Sequence, residues 1–126
     1  RDLENGTVEI ARRDTLTKEV VKIETASIQI QNLLTEIQNN LFEKAKERTA
    51  KFTRHANSYE EFKKILDGHG GFVMAHWDGT AETEEKIKEE TKATIRCIPL
   101  NNETEIGNCI YSGKPSIQRV AFARAY

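Results

Sequence analysis

A chain of 126 residues with 37% apolar and 31% charged side chains can bury one modest core under a heavily charged surface, which excludes the disordered and fibrous classes. Nineteen basic and twenty acidic side chains leave a formal charge of −1, so the chain lacks the overall basic footprint of a domain whose main task is gripping phosphate backbones. No apolar run approaches the roughly 20 residues needed to cross a bilayer, and no membrane partner is expected.

The opening Arg1-Asp2-Leu3-Glu4-Asn5-Gly6 has neither an initiator Met nor the apolar stretch of a signal peptide, and the chain is expected to begin inside a longer protein. Thr7-Val8-Glu9-Ile10-Ala11 alternates apolar with polar residues before Arg12-Arg13-Asp14-Thr15, the pattern of a strand entering a turn, with no sheet partner evident nearby. From Glu24 to Lys51 the period changes. Ile30, Leu33, Leu34, Ile37, Leu41 and Ala45 recur at three and four with no Gly or Pro, which predicts one long helix. At about 1.5 Å per residue it reaches roughly 40 Å, enough to brace two domains.

Phe52 to Ala56 has strand character, and Ser58-Tyr59-Glu60-Glu61 is a capping box that starts a helix running to Gly68. Gly70-Gly71 then gives way to the apolar strand Phe72 to Trp77, and Asp78-Gly79 turns the chain into an acid-first helix from Thr80 to Thr91. Ala93 to Ile98 is a strand halted by Pro99, Asn101 to Asn108 a polar loop, and Ser112-Gly113-Lys114-Pro115 a turn. Gln118 to Tyr126 is extended, with Val120 and Phe122 on one face and alanines on the other. The predicted fold class is α+β: a long N-terminal helix leads into a small βαβαββ two-layer domain, its sheet of about four strands packed with helices. Parallel connections within it would be right-handed.

Candidate chemistry is sparse. His55, His69 and His76 stand in separate elements with no Ser, Cys or Thr in a nucleophile signature, and Glu84-Glu85 and Glu89-Glu90 sit on a solvated helical face. His69-Gly70-Gly71 follows a helix and lacks both the Walker and the dinucleotide patterns, so it reads as a helix cap. Cys97 and Cys109, in a chain without secretory features, point to a reducing cytoplasmic compartment and not to a disulfide framework. A structural zinc site needs about four ligands, and Cys109, even joined by His76 or Cys97, falls short. Charge is uneven: Lys44, Lys46, Arg48, Lys51 and Arg54 oppose only Glu47, whereas Asp78 to Lys92 holds six acids against three lysines.

Arg1-Asp2, Ala11-Arg12-Arg13-Asp14-Thr15, Ile37 to Ala45, Phe62 to Asp67, Arg96-Cys97-Ile98-Pro99 and Phe122-Ala123-Arg124-Ala125-Tyr126 together resemble, in colinear order, prolyl-tRNA synthetases of the archaeal/eukaryotic-like type. The resemblance implies that residues 1–23 end an anticodon-binding domain, 24–51 form a connecting helix, and 52–126 form a C-terminal α/β domain. It implies that the full-length protein, a homodimer, activates proline with ATP and magnesium and passes it to tRNA(Pro). This chain, lacking the class II catalytic core, would be inactive alone. The terminal carboxylate of Tyr126 would approach the active site of the same protein. The family's C-terminal zinc knuckle uses four cysteines, at positions matching Trp77, about Thr83, Cys109 and Tyr111, so only Cys109 remains and no metal is expected. Packing of Trp77 and Tyr111 would hold the knuckle instead. Two alternatives stand beside this reading: an auxiliary tRNA-binding module acting through Arg12, Arg13 and the basic stretch 44–54, and a plain protein-interaction domain.

Overall fold

The computed structural model describes residues 3–125, so Tyr126, together with Arg1 and Asp2, lies outside the described residues. In chain order the elements are β1 (Thr7–Ala11), β2 (Lys18–Lys22), α1 (Ile23–Lys51), β3 (Thr53–His55), α2 (Tyr59–Asp67), β4 (Phe72–His76), α3 (Ala81–Thr91), β5 (Ala93–Cys97), β6 (Gly107–Asn108), β7 (Pro115–Ser116) and β8 (Arg119–Arg124). They fall into two compact units, Arg1–Arg48 and Thr49–Tyr126, the division lying inside α1.

In the first unit the strand expected to lack a partner has one: β1 pairs antiparallel with β2, placing Val8 opposite Val21 and Glu9 opposite Val20. The missed strand Lys18-Glu19-Val20-Val21-Lys22 shows no clean alternation, because only Val21 is buried and its neighbours face water. Leu16 turns the chain with a φ of 60°, and Arg12 N donates to Thr17 O at 2.8 Å to close the loop. α1 runs 29 residues without a Gly or Pro to interrupt it. Its periodic apolar residues do not share one environment. Leu33 and Ile37 are half-buried, whereas Ile30, Leu34 and Leu41 are exposed.

In the second unit the strand order is β3-β4-β8-β5, a mixed sheet. β3 and β4 are parallel and joined through α2, as the βαβ reading requires, but β8 inserts antiparallel between β4 and β5. This interior position puts Val120 and Phe122 in the core on one face of β8. Ala121 and Ala123, on the other face, are buried as well, because a strand flanked on both edges and covered on both faces has no solvated side. A second addition is the small antiparallel pair β6–β7, which converts the expected polar loop and turn into a knuckle.

Local signals fixed the helix ends. Ser58 Oγ accepts from Glu61 N at 3.2 Å while Glu61 reaches back to Asn57 N at 2.8 Å, and Thr80 caps α3 by accepting from Thr83 N. The core beneath them joins Phe62 and Leu66 of α2, Ile87 of α3, Val73 and Ala75 of β4, and Val120 and Phe122 of β8. Phe62 meets Phe122 edge-to-face with centroids 5.2 Å apart. Gly71 has φ +93°, and a Cβ there would lie 2.3 Å from Phe52 O, so only glycine lets the chain enter β4 beside β3.

Candidate functional site

The predicted RNA contacts Arg12 and Arg13 lie on the β1–β2 loop, and the structure separates them. The Asp14 side chain is 2% exposed, and Arg12 forks onto it through Nε at 3.1 Å and Nη2 at 2.9 Å. Asn40 Nδ2 donates to the same carboxylate at 2.6 Å, and Arg12 Nη1 donates to Glu36 at 2.9 Å. Hydrogen bonds from Arg12 and Asn40 hold the Asp14 carboxyl well below the usual carboxylate range. Lys44 Nζ donates to Asp14 O at 2.9 Å. Arg12 thus fastens the loop to α1, and its charge is matched within the unit. Arg13 is exposed, and its side chain has no acidic partner among the described residues.

In the second unit, the two segments expected to carry knuckle ligands are 77–83 and 107–114. Among the described residues no group of three or more His, Cys, Asp or Glu could hold a metal ion. The residues present do not fit the zinc knuckle that the resemblance implies. Cys109 is a lone buried thiol, Trp77 Nε1 donates to Thr80 O at 3.1 Å, Thr83 donates to Asp78 at 2.9 Å, and Tyr111 Oη donates to Glu90 at 2.8 Å. What joins the two segments is a carboxylate. Asp78 accepts from Thr80 N at 3.1 Å, from Thr80 Oγ1 at 2.8 Å, from Thr83 Oγ1 at 2.9 Å and, across the knuckle, from Ser112 Oγ at 2.6 Å. Ring packing contributes: Trp77 and Tyr111 both pack against the core, Tyr111 stands edge-on to Tyr59 at 5.1 Å, and both tyrosine phenols donate to Glu90.

Burial pushes the Asp78 carboxyl up, but hydrogen bonds from Ser112, Thr80 and Thr83 outweigh it and hold the group at about 2. A depressed folded value means that stability from this carboxylate is present above about pH 4 and is lost as pH falls toward about 2. Asp78→Asn is therefore expected to lower the urea midpoint at pH 7 and to flatten its decline between pH 4 and 2. A variant whose midpoint tracks the parent's at every pH would remove the carboxylate from the account of the knuckle.

Two arginines that the sequence did not single out organise the rest. Arg119, on β8 and almost buried, forks onto Glu105 with two 2.8 Å bonds and also donates to Ala56 O at 2.9 Å and Asn57 Oδ1 at 2.7 Å. Glu105, drawn down to about 2 chiefly by Arg119, also lies 3.5 Å from Nε2 of the buried His76, whose Nδ1 meets Ser116 Oγ at 3.1 Å. A Cβ on Gly107 would lie 2.4 Å from His76 Nε2, so glycine lets β6 close over the imidazole. Arg124 reaches both helix ends: Nε donates to Thr91 O at 2.6 Å, Nη1 to Leu66 O at 3.1 Å and Nη2 to Asp67 at 2.7 Å. A guanidinium at two helix C-termini satisfies carbonyls left without intrahelical partners. His55, His69 and Cys97 are exposed and are not brought together with one another by any bond among the described residues.

A model of the family described as "Prolyl-tRNA synthetase, C-terminal" matches residues 59–126. Over the whole chain, proline–tRNA ligases of Porphyromonas gingivalis, Flavobacterium psychrophilum and Cytophaga hutchinsonii are each 59% identical. The chain spans 25% of the length of the first and 26% of the other two. These relatives are bacterial, so the expected archaeal/eukaryotic-like type is not borne out; the segments that carried the resemblance mark the family and do not discriminate its types. With more than half of its residues matched by the family model and every residue covered by these relatives, the chain belongs to the prolyl-tRNA synthetase C-terminal family.

Proposed function

We propose that this chain is the C-terminal, non-catalytic part of a proline–tRNA ligase, which activates proline with ATP and magnesium and transfers it to tRNA(Pro). The observation that carries this reading is the 59% identity sustained over all 126 residues to proteins four times as long, at 25–26% of their length. Its partners would be the catalytic and anticodon-binding domains of the same protein, in a cytoplasmic homodimer. Residues 1–23 would close the anticodon-binding domain, 24–51 connect, and 52–126 form the C-terminal domain with its metal-free knuckle.

In this reading the second unit is a rigid platform for the tail. Arg124 ties the end of β8 to the C-termini of α2 and α3, so the chain leaves the domain from a fixed point two residues before Tyr126. The carboxylate of Tyr126 would then be held near the active site rather than sampling solvent, which reduces the ordering entropy of that approach. The test is proline-dependent ATP–pyrophosphate exchange by the full-length protein with and without Tyr126. A several-fold fall on truncation is expected. Unchanged exchange would remove the role of the tail, and the absence of proline-dependent exchange in either form would remove the assigned activity.

A further inference from the structure

We propose that Arg13, Lys44 and Arg48 form a phosphate-contacting surface on the first unit, gripping the backbone of tRNA without reading its bases. The identity of the nucleic acid rests on the ligase reading above; the surface itself rests on how the loop is seated.

The bond from Lys44 Nζ to Asp14 O, with Asn40 on the Asp14 carboxylate, presses the β1–β2 loop against one face of α1 at positions 40 and 44. Arg13, next to Asp14, is thereby carried to that face, and Arg48 stands four residues beyond Lys44, one turn along the same face. The other cations nearby are neutralised: Arg12 by Asp14 and Glu36, and Lys46 by Glu43 at 3.8 Å. Arg13 and Arg48 have no acidic partner among the described residues. Lys44 donates to a backbone carbonyl, which leaves its full charge and two further donors available. Glu47, the sole acid between positions 44 and 54, enters no ion pair among the described residues.

Three cations on one side of a chain whose net charge is −1 are a local concentration of donors, and guanidinium forks and ammonium groups suit phosphate oxygens. Among the described residues of the first unit no aromatic side chain shares the face. Phe42, the exposed ring of this stretch, is two positions from Lys44 and so about 200° around the helix, on the opposite side. Without a stacking platform, contacts to unstacked bases are not supported, and the surface would position RNA without specifying sequence.

The experiment measures the Kd of the full-length protein for a tRNA(Pro) transcript and for a non-cognate transcript across a salt series, with Arg13→Gln/Arg48→Gln beside the parent. Each lost phosphate contact is expected to reduce the slope of log Kd against log salt by about 1, equally for both transcripts. Arg12→Gln is expected to loosen the loop that seats Arg13 and so to reduce the slope by no more than that one contact. A double variant that keeps the parental slope overturns the proposal, whether or not its affinity falls, and so does a loss confined to the cognate transcript. If the parent protein lacks proline-dependent exchange, the ligase reading fails whatever the slopes show.

Discussion

Replacing Phe122 by alanine is expected to lower the stability of the second unit by about 3–5 kcal/mol, a large share of what a domain of this size holds. Phe122 is fully buried on the central strand, and its ring fills the space between β8 and Phe62 of α2. Strands on both sides pin the backbone there, with Val73 opposite on β4 and Ile95 on β5, so the surrounding structure has little freedom to collapse into the space left by the ring. In thermal unfolding this corresponds to a fall in the Tm of the second unit on the order of 12–40 °C. Ile117→Ala, at a side chain 67% exposed in the same unit, is expected to change the midpoint little. Equal effects from the two substitutions would show that the core is not organised around β8.

Arg119→Leu is the second large effect, expected at about 3 kcal/mol by urea unfolding, and its cause is polar. The substitution keeps aliphatic bulk but leaves the carbonyl of Ala56, a fully buried residue, without the donor that Arg119 Nη1 supplies. It also frees the loop that Glu105 anchors. Glu105 itself is half-exposed and can rehydrate, so Glu105→Gln is expected to cost clearly less than Arg119→Leu. Arg119→Lys should fall between them, because one ammonium cannot serve Glu105, Ala56 O and Asn57 at once. Should Glu105→Gln prove as damaging as Arg119→Leu, the stability would reside in the ion pair and not in the buried carbonyl. The sign of the pH effect is set by Glu105, whose folded value of about 2 lies below its ordinary one. Its pairing stabilises at neutral pH and weakens as pH falls below about 4, so Glu105→Gln should flatten that acid dependence.

The helices were legible because their signals are local. The capping box at Ser58, the acid-first turn after Thr80 and the uninterrupted period of α1 each act within one or two turns of chain. β2, β6 and β7 were not legible: a five-residue strand with one buried side chain and two-residue strands in a knuckle exist only through the partners opposite them. The same division runs through the site. Cys109 could be recognised as a lone thiol from spacing alone, but the role of Asp78 depends on Ser112, 34 residues away, and that of Arg12 on Glu36 and Asp14.

Residue order alone carried the class of the molecule, the existence and ends of its helices, and the family. These follow from composition, from contacts close along the chain and from colinear resemblance. Tertiary structure decided the strand order, with β8 between β4 and β5, and which polar side chains are structural. Nothing in the sequence singles out Arg119 and Arg124, yet each supplies donors to carbonyls more than thirty residues away. The physical reason is that a buried acceptor must find a donor wherever the fold brings one, and sequence proximity places no bound on where that donor comes from.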